Sequence, residues 1–139
     1  MTISLTQSCI RHLALGLAAI ALAGCATTAS TPELAVRERA TNHWKARLAD
    51  DMEAAYTFMP PSYRAITPLP RYKQAFGGAV KLTAAQVERI RCETEDKCVA
   101  TTKIEAKATL QRASVPPIVT FYDEVWVREN GQWWLFPTP

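Results

Sequence analysis

Histidine, cysteine and glycine are scarce in this sequence, and their scarcity excludes the commonest catalytic and metal sites. The 139 residues include two histidines, of which only His43 lies beyond the first 24 residues. One histidine cannot complete a zinc-ligand spacing with the cysteines, and it leaves no Ser-His-Asp order to consider. The bare pair Gly77-Gly78 is typical of a helix stop rather than of a phosphate-binding loop. The sequence therefore predicts a protein without metal or cofactor, and it favours a protein without enzymatic activity, with an enzyme as the alternative.

The sequence also lacks a large excess of either positive or negative charge. The chain carries 16 Lys and Arg against 13 Asp and Glu, a formal net charge of +3, without a lysine- or arginine-rich block. Arg11 falls in the N-terminal leader described next, so the remainder has 15 basic and 13 acidic residues, a charge of +2. Nucleic-acid binding needs a concentrated basic surface, so no nucleic-acid partner is expected.

No apolar run is long enough to cross a membrane. The run at 13–23 is shorter than the roughly 20 residues that a spanning helix needs. Arg11 and His12 precede it and small residues follow, which is the layout of a secretory signal peptide. The tetrapeptide LAGC at 22–25 resembles the bacterial lipobox. That resemblance implies cleavage before Cys25 and a thiol carrying diacylglycerol, with fatty acids such as palmitate; the alternative is a plain secretory leader with a chance cysteine.

Lipidation of Cys25 would divide the chain into a signal peptide (1–24), a tether (25–31) and one folded domain (32–139). Two or three acyl chains on one residue anchor a protein stably. The segment ATTASTP after the cysteine spans at most about 25 Å, so the domain is expected close to the bilayer. Ala26 is not the aspartate that retains many such lipoproteins in the inner membrane. By resemblance to the sorting rules of enterobacterial lipoproteins, the expected location is the outer membrane, facing the periplasm.

Two further cysteines, Cys92 and Cys98, flank an acidic loop in RCETEDKC. The periplasm is oxidising, and a metal site would need ligands that the distant His43 cannot complete. A disulfide that clips a hairpin is therefore predicted, contributing about 2 kcal/mol through loop entropy. Free thiols and a metal site are the alternatives, whereas the loop lacks the alternating Asp/Asn pattern and glycine of a calcium site.

Three helices are predicted first. Thr31 and Pro32 are typical of an N-cap and a first helical position, and apolar residues every four positions indicate a helix of four to five turns. Those residues are Val36, Ala40, Trp44 and Leu48. The segment DDME begins a short second helix, MEAAYTFM, which ends at two prolines. A third short helix is expected at about 71–76, closed by the glycine pair.

Four antiparallel strands are predicted after residue 78. Residues 98–110 alternate strictly between small or apolar side chains and mostly polar ones, which indicates one inner and one outer face. The inner residues are Cys98, Ala100, Thr102, Ile104, Ala106, Ala108 and Leu110. Residues 81–92 are expected to pair with this strand, and 114–117 to break the chain.

The last two strands, VTFYDEVWVRE and QWWLF, are joined by Asn130-Gly131, a strong two-residue hairpin signal. This turn pairs Glu129 with Gln132, and it places two further pairs along the strands. Those pairs are Val127 with Trp134 and Val125 with Phe136. The predicted fold class is thus α+β: one long and two short helices on a curved four-stranded antiparallel sheet.

This order of elements, with HWKARLADDMEAAYTFMPPSYR in the helical part and VWVRENGQWWLF at the end, resembles the nuclear-transport-factor-two-like superfamily. The resemblance covers residues 33–137 and implies a cystatin-like α+β cone of helices against a sheet. The superfamily includes isomerases, dehydratases, cyclases and many modules without activity, so the resemblance alone assigns no function.

Enzymes of this superfamily use a carboxylate or a histidine–aspartate pair inside the cone, which suggests a search for pocket residues. The candidates are Trp44, Tyr56, Tyr63, Glu88 and Asp123. Glu88 falls on the inner face if Cys92 pairs with Cys98, although a β-bulge would turn it outward. His43 lies one residue off the apolar stripe and is expected to be exposed, while Asp50 and Asp51 are explained by helix capping.

The closing hairpin provides a second candidate site. Its register predicts that Val125, Val127, Trp134 and Phe136 face the core. The opposite face would carry the composition of an interface hot spot, with Tyr122, Trp126, Arg128 and Trp133. The leading hypothesis is a lipid-anchored binding or assembly module without enzymatic activity, which forms a homodimer or binds an envelope protein through this sheet face. The alternative is a small-molecule-binding or isomerase/dehydratase-like protein that uses the cone pocket.

Overall fold

In the part of the chain that the structure describes, four helices precede four strands. The structure, a computed structural model, describes residues 30–76, 80–108 and 116–137. The helices are α1 (Pro32–Leu48), α2 (Met52–Tyr56), α3 (Pro61–Ile66) and α4 (Leu69–Phe76). The strands are β1 (Val80–Thr94), β2 (Lys97–Ala108), β3 (Ile118–Glu129) and β4 (Gln132–Phe136). The fold is therefore α+β, with a four-stranded antiparallel sheet after the helices, as predicted.

Capping side chains set the starts of α1 and α2. The Thr31 hydroxyl accepts a hydrogen bond from the backbone N–H of Leu34 at 3.3 Å. The Asp51 carboxylate accepts one from the N–H of Ala54 at 2.9 Å. Each bond satisfies an N–H group that has no partner within the helix. Both helix starts were predicted from the sequence and are confirmed.

The number of short helices was predicted wrongly: there are three rather than two. The two prolines end α2, as expected, but Pro61 is also the first residue of α3. Proline stops a preceding helix because it lacks an N–H, yet its fixed φ suits the first turn of the next one. The fourth helix, α4, begins at Leu69, and the glycine pair expected to close it lies outside the described residues.

The strands follow one another in sheet order β1-β2-β3-β4, each antiparallel to its neighbour. Asn130 and Gly131 have φ values of 53° and 77°, the left-handed conformations that a two-residue hairpin turn requires. Val127 lies opposite Trp134, and the other two predicted pairs of β3 and β4 are also present. The predicted hairpin is thus confirmed in both turn and register.

Three bulges interrupt the pairing of β1 with β2. β1 has 15 residues and β2 has 12, and the register shifts at three places along β1. The residues without a direct partner are Thr83, Glu88 and Glu93. Each extra residue shifts the alternation of side chains along β1 by one position, so the residues after it still share a face with their partners on β2.

The inner face of β2 carries small side chains against the helices. Cys98, Ala100, Thr102 and Ala106 are buried there, as the alternating pattern predicted. From the helices, Val36, Ala40 and Trp44 of α1 are buried together with Tyr72 of α4. Arg37 also ties α1 to the middle bulge, because its guanidinium donates to the carbonyl of Val87 at 2.9 Å.

The two faces of the β3–β4 hairpin were predicted the wrong way round. Across β2 and β3, Cys98 pairs with Trp126 and Ala100 pairs with Glu124. Since β2 places Cys98 and Ala100 on the inner face, Trp126 and Glu124 must share it. Val125 and Phe136, predicted as core, lie on the other face.

The N-terminal leader and the lipidation residue Cys25 lie outside the described residues. Within 30–76, 80–108 and 116–137, no helix is both long and apolar enough to span a membrane.

Candidate functional site

A cavity of about 240 Å³ lies between α1, α4 and the inner face of the sheet. Aromatic residues form much of its wall: Trp44, Tyr72, Phe76 and Tyr122. Aliphatic side chains, among them Leu82, Ile104 and Leu135, line the rest. Its volume is slightly below the roughly 300–1,000 Å³ of common ligand pockets, so it suits a small molecule with a large apolar part.

A buried carboxylate, Glu124, is the most unusual group in this wall. Its residue is 2% exposed, and its Oε2 accepts a hydrogen bond from the indole Nε1 of Trp44 at 2.8 Å. Its Oε1 lies 3.1 Å from Nδ1 of His43, which is also 2% exposed. A carboxylate is rarely buried unless partners compensate for the lost water; here the indole supplies one hydrogen bond, while Nδ1 of His43 lies nearby without hydrogen-bond geometry.

The helical repeat of α1 explains how His43 reaches this site. His43 lies seven residues after Val36 and three after Ala40, so all three occupy one face of the helix. Its ring packs edge-on against Phe58 and Trp126. The prediction that His43 is exposed was therefore wrong, because it followed a strict four-residue spacing instead of the mixed three- and four-residue spacing of a helix.

Arg47 and Tyr72 add two hydrogen-bond donors to the cavity. Arg47 follows His43 by one helical turn, and its guanidinium lies over the rings of Trp44 (5.9 Å) and Phe76 (5.3 Å). The hydroxyl of Tyr72 is buried and has no hydrogen-bond partner among the described residues. Burial raises the pKa of Tyr72 to about 12, against the opposing effect of Arg47, so the phenol stays protonated near neutral pH.

Of the predicted pocket residues, only Trp44 lines this cavity. Tyr56 is half-buried and donates its hydroxyl to the carbonyl of Thr67 at 2.6 Å, which anchors the end of α3. Tyr63 packs at the edge of the core. Both tyrosines therefore have a structural explanation, and neither borders the cavity.

Glu88 and Asp123 lie on the outer face of the sheet and are exposed. Glu88 occupies the middle bulge of β1, the geometry that was the alternative to an inward-facing side chain. Asp123 pairs with Thr101 across β2 and β3 and accepts a hydrogen bond from its hydroxyl at 2.6 Å. Neither carboxylate can serve the cavity, and both assignments to it were wrong.

The predicted interface residues do not form one exposed surface. Trp126 is fully buried and Trp133 is 5% exposed. Tyr122 is 44% exposed and contributes to the cavity wall, while Arg128 is exposed near the hairpin turn. The two tryptophans therefore belong to the core and are not available to a partner.

Cys92 and Cys98 are direct partners across β1 and β2 and form a disulfide. Cys98 is buried in the core while Cys92 is partly covered. The pair lies beside Trp126 in the sheet, at the end away from the Tyr122 side of the cavity. This arrangement agrees with a hairpin clip; the oxidising compartment that would maintain it remains a prediction.

Within the described parts of the chain, no cluster of three or more His, Cys, Asp or Glu side chains could hold a metal ion. The cavity has one acidic residue, Glu124, and one imidazole, His43, which together fall short of a metal-ligand set. Its chemistry is that of an apolar chamber with a few convergent polar groups.

Comparison with known proteins supports the fold but not an activity. No protein-family model matches the chain, and no curated protein matches it. Among solved structures, it is similar to the solution structure of a SEC-C motif containing protein from Rhodopseudomonas palustris. The TM-score is 0.54 at 11% identity, over 78% of each chain. At this identity the likeness shows the fold alone, and the resemblance to the nuclear-transport-factor-two-like superfamily remains a prediction.

Proposed function

We propose that this chain is a lipid-anchored protein of the bacterial envelope whose domain binds a small organic molecule in the cavity between α1, α4 and the sheet. The anchor and the location follow from the lipobox-like LAGC. The binding function rests on one observation, the apolar cavity that contains buried polar groups without full hydrogen bonding. Nε2 of His43 and the hydroxyl of Tyr72 both lack a hydrogen-bond partner among the described residues.

Such groups are costly in an empty protein. A buried donor or acceptor without a partner costs on the order of 1–3 kcal/mol, and native proteins seldom keep two in one chamber unless water or a ligand satisfies them. Both side chains belong to the wall of the same cavity. A ligand with polar atoms would satisfy them, and its apolar part would contact the aromatic rings.

The assembly hypothesis loses its main support. It depended on Trp126 and Trp133 as an exposed hot spot, and both are buried. Their replacement by alanine would therefore disturb the core, and a loss of association in such a variant would not identify an interface. A ligand-binding domain is the better explanation of the residues around the cavity.

The test is to fill the cavity and measure binding. We expect benzyl alcohol, cyclohexanone or benzoate to show saturation-transfer NMR signals with the purified full-length protein in detergent micelles. Ile104→Trp places an indole in the cavity and should abolish the signals. Lys103→Trp is the matched control, because it adds the same group one residue away on the outer face of β2.

Circular dichroism should confirm that both variants fold. Signals that persist unchanged in folded Ile104→Trp would mean that the probes bind elsewhere, in the micelle or on the surface. No signal from any probe with the unaltered chain would overturn the proposed binding function.

A second candidate function is proton transfer by Glu124 and His43. A carboxylate 3.1 Å from an imidazole, in a largely apolar cavity, is a suitable proton acceptor. If Glu124 removes an α-proton from cyclohexanone and the enolate takes a deuteron from D2O, the same NMR samples will show deuterium incorporation. Glu124→Gln should then stop the exchange without stopping binding, whereas exchange at the rate of free buffer would exclude this candidate.

A further inference from the structure

The guanidinium of Arg47 lies in the cavity wall without an ion-pair partner among the described residues. No carboxylate of the described residues lies within 4.0 Å of it, and its Nε is buried without a hydrogen-bond partner. Among those residues its Nη2 makes a long hydrogen bond, 3.4 Å, to the carbonyl of Phe76, and the guanidinium also lies near enough to the Tyr72 hydroxyl to oppose the rise in the pKa of that phenol. A partly buried charge without compensation is unfavourable, so this group favours an anion.

Aromatic rings hold Arg47 in place. The guanidinium lies over Trp44 on its own helix and over Phe76 at the end of α4. Cation–π contacts of this kind restrict the side chain, and the guanidinium keeps further N–H donors beyond the one that binds the carbonyl of Phe76. The fork matches the two oxygens of a carboxylate better than it matches a single carbonyl oxygen.

Tyr72 supplies a second donor to the same part of the cavity. Its hydroxyl is buried, faces no acceptor among the described residues and lies close enough to Arg47 to interact with it. A protonated phenol can donate to an anion but cannot itself compensate the positive charge of Arg47. Together the two side chains form an incomplete anion site.

We infer, on the basis of the proposed binding function, that the ligand is a small monocarboxylate with a flat ring: Arg47 and Tyr72 bind its carboxylate, and the aromatic walls enclose its ring. One cation balances one negative charge. A phosphate dianion would leave a second charge in a chamber that already contains Glu124. Glu124 is itself occupied by Trp44 and His43, so it does not replace the ligand as the partner of Arg47.

The experiment compares benzoate with benzyl alcohol, which has nearly the same size but no charge. Dissociation constants are measured by calorimetry at pH 7 with the full-length chain in micelles, and the cavity-filled Ile104→Trp chain corrects for partitioning of the probes. We expect benzoate to bind at least about tenfold more tightly than benzyl alcohol, since a charge-assisted hydrogen bond is worth tenfold or more.

Variants of the two donors test the assignment. Arg47→Gln should weaken benzoate by about tenfold or more and change benzyl alcohol by less than about twofold; Tyr72→Phe should weaken benzoate by a smaller factor. Arg47→Lys, which keeps the charge but loses the fork, should fall between. Arg64→Gln is the control, because Arg64 lies over Trp134 and does not border the cavity.

The outcomes separate this inference from the proposed function. If benzyl alcohol or cyclohexanone binds in the cavity as tightly as benzoate, or if folded Arg47→Gln and Arg47→Lys bind benzoate normally, the carboxylate inference is wrong while ligand binding stands. If no probe binds, the proposed function fails, and the inference fails with it.

Discussion

The two hairpins of the sheet use their inner faces in opposite ways. On β1–β2 the inward side chains are mostly small, with Cys98, Ala100 and Ala106 buried on β2. On β3–β4 they are large, with Trp126, Trp133 and Leu135 buried. The first hairpin gives α1 a flat surface to pack on, and the second sends bulky groups toward the helices.

The second hairpin also contributes the carboxylate of Glu124 to the cavity wall, beside its large inward side chains. Phe58 and Trp126 meet edge-on, and the backbone N–H of Leu135 donates to the carbonyl of Phe58 at 2.9 Å. The helical layer and the second hairpin are thus held by rings and by one backbone bond. Next to Trp126 on the same face, Glu124 takes the position where a large apolar side chain would otherwise close the cavity.

The largest expected effect is on the second hairpin. Trp126→Ala removes a fully buried indole that contacts His43 and Phe58, and we expect it to lower the free energy of unfolding by about 3–5 kcal/mol. Urea denaturation followed by circular dichroism measures the change. A loss below about 1 kcal/mol would mean that the large inward side chains of β3–β4 are not packed into the core as described.

Trp134→Ala is the matched control for that variant. Trp134 occupies the same hairpin but is only half-buried, with Arg39 and Arg64 over its ring. Its loss should cost clearly less than that of Trp126, because less apolar surface returns to water. Equal costs would show that burial on the inner face does not decide the result.

A smaller effect is expected at the clip of the first hairpin. Replacing Cys92 and Cys98 together by alanine opens a short loop, and loop entropy predicts a loss of about 2 kcal/mol in the free energy of unfolding. Reduction of the unaltered chain should lower its stability by a similar amount and should leave the double variant unchanged. If the reductant affects both equally, the cysteines do not form the clip.

The smallest effect concerns Thr102, also on the first hairpin. Its hydroxyl is buried without a hydrogen-bond partner among the described residues, so Thr102→Val should leave stability unchanged or raise it by up to about 1 kcal/mol. The control, Thr101→Val, removes a hydroxyl that donates to Asp123 and should lower stability slightly. A marked loss at Thr102 would show that its hydroxyl has a partner after all, such as a bound water.

The sequence was sufficient for β2 of the first hairpin because the two faces of that strand differ in chemistry. Along β2, alanine, cysteine and threonine alternate with lysine, glutamate and valine, so the inner face could be read directly. Along β3 both faces carry apolar side chains, and the acidic Glu124 made its own face look external. The register between β2 and β3 is a long-range contact, and no local pattern in either strand determines it.

The cavity could be predicted only in part for the same reason. Trp44 was identified from its place on the apolar stripe, and His43 and Arg47 could have been found from the mixed helical spacing that starts at Val36. Glu124 and Tyr72 could not have been found in this way, because carboxylates are mostly exposed and tyrosines are intermediate in burial. Their burial depends on tertiary contacts that the sequence does not reveal.

The bulges of β1 also determine which changes in length this strand can accept. A single residue inserted or deleted in a strand inverts every side chain beyond it, much as a frameshift alters every codon downstream. Thr83, Glu88 and Glu93 are three such insertions relative to β2, and after each one the alternation of side chains along β1 shifts by one position, so that paired residues still share a face. Homologous chains should therefore gain or lose residues at these three positions and keep a constant length between them.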